Sequence, residues 1–136
     1  MTPLFIDSAY VIALLNDRDQ YHENAKRLVR HYRRQSFVTS EGVLLEVGNF
    51  LSARFRTQAV EVIEQFLMSP DIEVVYTTPH LLVSALALYK RMSDKEWSLV
   101  DCISFVIMRE RGIKEALTSD HHFTQAGFQA LLSLKP

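Results

Sequence analysis

Residues 4 to 15 of the chain are Leu-Phe-Ile-Asp-Ser-Ala-Tyr-Val-Ile-Ala-Leu-Leu. The first three residues form a short apolar run that is typical of a buried strand, and the pattern that follows predicts a helix over residues 8–15. One acidic residue, Asp7, stands where the predicted strand ends and the helix begins. A buried strand followed at once by a helix is the unit from which α/β folds are built.

The same alternation continues along the chain. Further strands are predicted at residues 36–39, 72–76, 116–118 and 130–134. Helices are predicted at about 20–34, from Thr39 or Ser40 onward, near 57–68, at 79–91 and at 98–111, where Gly112 ends the last of them. Short apolar strands separated by helices imply a mainly parallel sheet with helices on both faces. The predicted fold is therefore α/β, with three α/β/α layers in a single domain over residues 1–136.

Two of the predicted helices carry apolar residues at the spacing of a buried helix face. In the helix at 20–34 these residues are Ala25, Leu28, Val29 and Tyr32. In the helix that follows residue 40 they are Val43, Leu44, Val47, Phe50 and Leu51. The helix at 98–111 is apolar on nearly all sides, which predicts a central, buried position.

The composition is that of a globular protein. Of the 136 residues 48% are hydrophobic and 23% are charged, and the formal net charge of −1 does not by itself indicate nucleic-acid binding. A single cysteine, Cys102, excludes an internal disulfide and a cysteine-based zinc site. The longest apolar stretches, 9–15 and 81–88, fall short of the ~20 residues that a membrane span requires. A cytoplasmic protein without membrane association is predicted.

Acidic residues stand at the predicted edge of the sheet where parallel α/β proteins bind ligands. Asp7 follows the first strand directly, and Asp120 follows the fourth strand after one serine. Asp101 lies at the start of the apolar helix, where a buried carboxylate needs a cation or several donors. Each acid also has a structural alternative. Asp7 can cap the next helix, Asp120 can form a turn, and Asp101 can complete a capping box with Ser98.

A fourth acid, Glu46, borders the core face of its predicted helix, whereas Glu41 is interpreted as an ordinary first-turn residue. Four converging carboxylates would repel one another, and one or two divalent cations would relieve that repulsion. Oxygen ligands favour Mg²⁺, with Mn²⁺ as a substitute, over zinc. Such an ion can activate water and stabilise charge on a phosphoryl group, which is typical of nucleases.

The four acids and their local sequences resemble the acidic quartet of PIN domains. Asp7 stands in Phe-Ile-Asp-Ser-Ala, Glu46 in Leu-Leu-Glu-Val, Asp101 in Leu-Val-Asp-Cys-Ile and Asp120 in Thr-Ser-Asp-His-His-Phe. Each motif alone is weak, but the four in this order are fairly specific, and the resemblance covers nearly the whole chain. A chain of this size is similar to the VapC-like toxins of bacterial and archaeal toxin–antitoxin pairs.

The resemblance implies a Mg²⁺-dependent endoribonuclease with a PIN-like fold, in which the four acids are catalytic and hold the metal. It implies that Ser8 and Thr118 help to shape the site. It also implies an RNA substrate, a cognate antitoxin that silences the enzyme, and a homodimer. Many members of the family carry threonine at the position of Val100, a departure that leaves the neighbouring ligand unchanged.

Several other residues have both a functional and a structural interpretation. A basic stripe lies opposite the apolar face of the helix at 20–34 and consists of Lys26, Arg30, Arg33 and Arg34. It predicts either a solvated surface or contacts to RNA phosphates. Surface or turn positions are favoured over ligand or base roles for His22, His121 and His122. Ordinary packing is favoured over base stacking for Trp97 and Phe123, and Cys102 is predicted to be a buried, inert thiol.

Two rival functions belong to other classes. A phosphoreceiver domain would use Asp7 as a nucleophile, but it would need further acids beside that residue and a lysine at a late strand end. Here Ile6 and Ser8 flank Asp7, and no lysine follows the fourth strand at once. The second rival is a catalytically inactive PIN-like domain that binds RNA or a protein partner. Neither GxGxxG nor GxxxxGK[ST] occurs, which disfavours nucleotide-binding enzymes.

Overall fold

The computed structural model describes residues 2–134. The strands are β1 (Leu4–Ile6), β2 (Phe37–Ser40), β3 (Ile72–Val75), β4 (Glu115–Leu117) and β5 (Gln129–Ala130). The helices are α1 (Ser8–Leu15), α2 (His22–His31), α3 (Glu41–Leu51), α4 (Arg56–Met68), α5 (Pro79–Arg91), α6 (Leu99–Arg111) and α7 (His121–Gln125), and a 3₁₀ turn follows at Leu131–Ser133. Within residues 2–134, no helix combines the length and the apolar character needed to cross a bilayer.

The five strands form one parallel sheet in the order β3-β2-β1-β4-β5. The central strand is β1, where Phe5 pairs with Val38 on one side and with Ala116 on the other. Parallel strands require crossover connections, which the helices supply on the faces of the sheet. The predicted three-layer α/β fold is confirmed. Because all strands point the same way, the residues that follow β1, β2 and β4 meet at one carboxyl edge.

Helix α6 lies in the middle of the core, as predicted, since seven of its 13 residues are buried. The ring of Phe105 packs edge-on against the rings of Trp97 and Phe123, with centroid distances of 4.9 Å in both pairs. Edge-to-face packing of this kind fixes ring orientation as well as burying area. The packing therefore holds the N-terminal turn of α6, and with it Asp101, in a defined place at the carboxyl edge.

Helix α2 is shorter than predicted. It spans His22–His31 rather than residues 20–34, so Arg33 and Arg34 lie in the turn that follows it. The backbone N–H of Tyr32 makes the last helical bond, to the carbonyl of Leu28 at 2.9 Å. The chain must then turn to enter β2, and this connection ends the helix even though the sequence pattern continues.

The C-terminal region also differs from prediction. The fifth strand covers only Gln129–Ala130 rather than residues 130–134. The backbone N–H of Leu132 donates to the carbonyl of Thr118 at 3.0 Å, and the chain leaves the sheet there as a 3₁₀ turn. The short helix α7 was not predicted, because five residues are too few to establish a helical period.

Two residues of the predicted core faces are exposed. Phe50 is 66% exposed and Val29 is 46% exposed, whereas the other members of both faces are buried or half-buried. Phe50 borders an open groove between α1 and α3 that is also lined by Ser8, Ile12, Glu46 and Asn49, and within residues 2–134 its ring is left largely uncovered. Helical periodicity finds the inward side of a helix but does not show where the neighbouring element stops.

Replacing Gly112 with alanine is expected to lower the free energy of unfolding by about 1 kcal/mol. Gly112 ends α6 with φ of +65°, in the left-handed region. Among the described residues, no heavy atom beyond its chain neighbours lies within 4 Å of an added Cβ, so backbone strain is the cost of a side chain. Gly48 is a matched control inside α3, where an added Cβ makes only an ordinary contact at 3.8 Å with Ile63. Gly48→Ala should stabilise the chain. Equal urea midpoints for Gly112→Ala and the wild type would contradict this account.

Candidate functional site

The neighbouring strands β1 and β4 bring Asp7 and Asp120 to one edge of the sheet. The link between them is the fully buried Thr118, whose Oγ1 donates to Asp7 Oδ2 at 2.7 Å. The same hydroxyl oxygen accepts the backbone N–H of Asp120 at 3.0 Å. Thr118 thus uses its donor on one acid and its acceptor on the next, so its side chain fixes their relative positions.

Asp7 does not act as the helix cap that was its structural alternative. It occupies the N-cap position of α1, but its side chain accepts no capping hydrogen bond there. The residue is only 4% exposed. Burial raises the pKa of Asp7 to about 7, the hydrogen bond from Thr118 opposes that rise, and the negative charges of Glu46 and Asp101 add to it. Asp7 is therefore a buried acid that its environment does not favour as an anion.

Asp101 forms the capping box with Ser98 that was its structural alternative. The backbone N–H of Asp101 donates to Ser98 Oγ at 3.0 Å, and the backbone N–H of Ser98 donates to Asp101 Oδ2, also at 3.0 Å. These two bonds form a capping box at the start of α6. Asp101 is 8% exposed, so the capping box holds a buried carboxylate at the carboxyl edge of the sheet.

Glu46 joins the site through α1. Ser8 Oγ donates to Glu46 Oε1 at 3.0 Å, one residue along the chain from Asp7. Burial raises the pKa of Glu46, the bond from Ser8 opposes this, and the charges of Asp101 and Asp120 add to the rise. Glu41 is occupied elsewhere, since its Oε1 accepts the backbone N–H of Thr77 at 2.9 Å. The structure therefore favours Glu46 over Glu41 as the glutamate of the cluster.

The side chains of this cluster have the ligand chemistry that divalent cations prefer. The four carboxylates lie at the β1–α1 junction, on α3, on α6 and in the β4–α7 connection. Burial is the largest cause of the raised pKa values of Asp7 and Glu46, and the negative charges of neighbouring acids add to the rise. A buried acid among acids remains ionised only if a positive charge joins it. Hard divalent cations take carboxylate oxygens as ligands.

The sequence favours a surface or turn position for His122, but the structure places the residue inside the cluster. Its Nδ1 lies 3.0 Å from Asp101 Oδ2 and 3.4 Å from Asp120 Oδ1. Its backbone N–H donates to Asp120 Oδ1 at 2.9 Å, as the first bond of α7. The adjacent His121 is largely exposed and lies 3.7 Å from the same Asp120 oxygen. Over residues 2–134, the potential ligand atoms of Asp120, His121 and His122 lie within 4.8 Å of one another.

The arginines at the end of the basic stripe lie toward the opposite edge of the sheet from this cluster. Arg30, Arg33 and Arg34 are exposed near the end of α2, which leads to the first residue of β2 and so to the opposite edge of the sheet. Lys26 pairs with Glu23 at 3.1 Å on the surface. A role for these residues in RNA binding stays a prediction, and the solvated-surface interpretation matches their exposure.

The remaining residues with two interpretations have structural roles. Trp97 and Phe123 are buried, and Trp97 Nε1 donates to Gln125 Oε1 at 2.9 Å. Cys102 is fully buried, as predicted, and burial raises the pKa of its thiol, which is consistent with an unreactive side chain. The Nδ1 of His22 lies 2.7 Å from the carbonyl oxygen of Ala13, which ties the start of α2 to α1.

Comparison with known proteins identifies the class. A PIN domain family model matches residues 4–129. The 23S rRNA-specific endonuclease VapC20 of Mycobacterium tuberculosis is 33% identical over 125 residues, which are 92% of this chain and 95% of VapC20. The crystal structure of Mycobacterium tuberculosis VapC20, a sarcin-ricin loop cleaving toxin, matches with a TM-score of 0.82 and 31% identity over 92% and 95% of the two chains. The crystal structure of FitAcB from Neisseria gonorrhoeae, 12% identical, matches in fold with a TM-score of 0.60 over 93% and 94%.

The chain therefore belongs to the PIN domain family. Within that family it is similar to the VapC ribonuclease toxins, as the sequence predicted. The chain is an enzyme of the nuclease class that acts on phosphodiester bonds, and nucleases of this family generally use divalent metal ions. The phosphoreceiver interpretation is wrong.

Proposed function

We propose that this chain is a Mg²⁺-dependent endoribonuclease whose site is formed by Asp7, Glu46, Asp101 and Asp120. The observation that carries the proposal is that four acids from separate parts of the chain meet at one sheet edge, each held by a named hydrogen bond. Such an arrangement costs stability, because two of the four acids have raised pKa values. The cost is explained if the acids bind a cation during the reaction.

Each side chain has a distinct part in this proposal. Asp7 and Asp101, the most buried acids, are the principal ligands of the ion, and Asp120 and Glu46 complete its surroundings directly or through water. Thr118 and Ser8 are the residues that orient Asp7 and Glu46. When bound, the ion activates a water molecule and stabilises charge on the phosphate. The oxygen-rich ligands favour Mg²⁺, and Mn²⁺ is the natural substitute.

The proposed substrate is a structured RNA, and ribosomal RNA is the first candidate. Similarity to a 23S rRNA-specific endonuclease over 92% of this chain supports it. The formal net charge of −1 is consistent with weak nonspecific attraction to RNA, so that shape and the bound ion contribute to selection. A ribosomal substrate would place the activity in the cytoplasm, as the sequence predicts.

The proposed partners follow from the toxin resemblance. A cognate antitoxin would silence the enzyme, and similarity to VapC20, a toxin, supports this. A homodimer remains a proposal of the same origin. Lys26, Arg30, Arg33 and Arg34 are all exposed, and Arg33 and Arg34 lie in the turn before β2, at the edge opposite the acids. Contacts of these two arginines with RNA phosphates would therefore be far from the scissile bond.

Glu46→Gln is expected to lower the rate of Mg²⁺-dependent RNA cleavage by at least about tenfold, because it removes one negative charge from the cluster. Glu41→Gln is the matched control: its amide oxygen can still accept the N–H of Thr77, so cleavage should stay at the wild-type rate. Cleavage of a mixed RNA pool in Mg²⁺, in Mn²⁺ and in chelator measures both. The proposed site would be contradicted if both variants lost cleavage activity to the same extent. It would also be contradicted if neither the variants nor the wild type cleaved RNA. The second result would favour the inactive RNA-binding or partner-binding domain.

A further inference from the structure

We infer that His122 is a positioning residue whose imidazole selects which oxygen of Asp101 faces the metal. The inference rests on the proposed function and adds to it a residue outside the acidic quartet. Its basis is geometric, since one imidazole nitrogen lies 3.0 Å from Asp101 Oδ2 and 3.4 Å from Asp120 Oδ1.

The hydrogen bonds at Asp101 account for both lone pairs of one oxygen. Oδ2 accepts the backbone N–H of Ser98 at 3.0 Å in the capping box and faces His122 Nδ1 at 3.0 Å. A carboxylate oxygen has two lone-pair directions, so two N–H donors occupy it. In the described part of the chain, both recorded side-chain contacts of Asp101 use Oδ2. Oδ1 is therefore the oxygen presented to a cation.

At Asp120 the hydrogen-bond donor is the backbone of His122, and the ring lies close by without a hydrogen bond. Asp120 Oδ1 accepts the backbone N–H of His122 at 2.9 Å and lies 3.4 Å from the imidazole Nδ1. Asp120 Oδ2 is then the oxygen that faces the cluster. His122 thus contacts one oxygen on each of two acids from different elements, α6 and the β4–α7 connection. Its imidazole orients the carboxylate of Asp101, and its backbone N–H orients that of Asp120.

The protonation pattern of the ring follows from its neighbours. Carboxylate oxygens only accept, so Nδ1 carries the hydrogen that it donates to Asp101. A nitrogen that donates a hydrogen bond has no lone pair for a metal ion. His122 therefore acts through the carboxylates and is not a ligand through Nδ1.

The core holds the imidazole in this position. The next residue, Phe123, is fully buried, and its ring packs against Phe105 of α6 at 4.9 Å. The helix that carries His122 is thereby fixed to the helix that carries Asp101. The His122 side chain is 17% exposed, so water competes little for its hydrogen bond.

The test compares His122→Ala, His122→Asn and His122→Gln. Asparagine places an N–H donor two bonds from Cβ, where His122 has Nδ1, whereas glutamine places it one bond further, near the position of Nε2. Mn²⁺ binding to the RNA-free protein, followed by electron paramagnetic resonance, gives metal affinity without reference to activity. Single-turnover cleavage of RNA in Mg²⁺ gives the rate, and the thermal midpoint shows whether each variant is folded.

We expect His122→Ala to weaken Mn²⁺ binding and to slow cleavage by roughly 10- to 100-fold, the usual effect of removing a residue that orients a metal ligand. His122→Asn should recover most of both losses, and His122→Gln should not. His121→Ala, which removes the exposed neighbouring imidazole, should bind Mn²⁺ as the wild type does.

Three results would overturn the inference. The first is wild-type Mn²⁺ affinity in His122→Ala. The second is equal loss in folded His122→Asn and His122→Ala. The third is weakened Mn²⁺ binding in His121→Ala, because the imidazoles of His121 and His122 would then hold the ion together with Asp120. A wild-type chain that binds no metal and cleaves no RNA would instead refute the proposed function, so the two failures are distinguishable.

Discussion

Asp101→Asn is expected to slow metal-dependent RNA cleavage by about a thousandfold, because stabilisation by a bound ion is worth several kcal/mol in the transition state. The substitution is designed to leave the fold intact. The amide oxygen of asparagine can still accept the N–H of Ser98 and the Nδ1–H of His122, so the capping box survives. The amide nitrogen then replaces the oxygen that faces the cluster, and a donor in that place repels a cation.

The measurement is single-turnover cleavage of RNA over a range of Mg²⁺ concentrations, with circular dichroism to verify the fold. Asp17→Asn is the control, since Asp17 is an exposed aspartate outside the cluster. Asp17→Asn should cleave at the wild-type rate. Wild-type cleavage by folded Asp101→Asn would remove Asp101 from the site and with it the proposed arrangement of ligands.

Asp7→Asn is expected to stabilise the metal-free protein at neutral and alkaline pH, while it abolishes cleavage. Burial raises the pKa of Asp7 from 3.8 to about 7, so ionising this group in the folded chain costs up to about 4 kcal/mol. Asparagine has a similar shape, and its amide oxygen can still accept the hydrogen bond from the Thr118 hydroxyl. It carries no charge to bury.

The sign of the pH dependence follows from linkage. Because the folded-state pKa lies above the unfolded one, the contribution of Asp7 to stability is fully present below pH 3.8 and is lost as the pH rises to about 7. The difference in unfolding free energy between Asp7→Asn and the wild type should therefore grow across this window and level off above it. Urea denaturation in chelator at several pH values measures that difference. A constant difference, or a less stable Asp7→Asn at pH 8, would contradict the account.

Added Mg²⁺ should reverse this order. A ligand that binds only the folded state stabilises that state. Once the site fills, the gain in unfolding free energy grows with the logarithm of the ligand concentration. The wild type should gain stability with Mg²⁺ at pH 8, and Asp7→Asn should gain much less. The acidic cluster is in this sense a cost of function, as is common where an active site gathers like charges.

Most of the fold and the acidic quartet could be predicted from the sequence because the relevant signals are local. Each strand is a short apolar run, and a parallel sheet brings every strand end to one edge whatever the details of packing. Asp7 and Asp120 could therefore be placed near one another without coordinates. The central position of Asp101 followed from the apolar character of α6 on nearly all sides.

The remaining features depend on contacts distant in sequence. The position of His122 is set by α7, whose five residues carry no recognisable period, and by the packing of Phe123 on Phe105. One local signal in Thr-Ser-Asp-His-His-Phe does indicate it, because a histidine stands two residues after a candidate ligand. The exposure of Phe50 depends on where α1 stops covering α3.

The most direct test of the central claim is cleavage of ribosomal RNA by the purified chain, with the new ends mapped by sequencing, in Mg²⁺ and in chelator. The account predicts cleavage at defined positions in Mg²⁺, none in chelator, and none by folded Asp101→Asn in either. Cleavage that persists in chelator, or a folded, inhibitor-free chain that cleaves no RNA in Mg²⁺ or Mn²⁺, would contradict it.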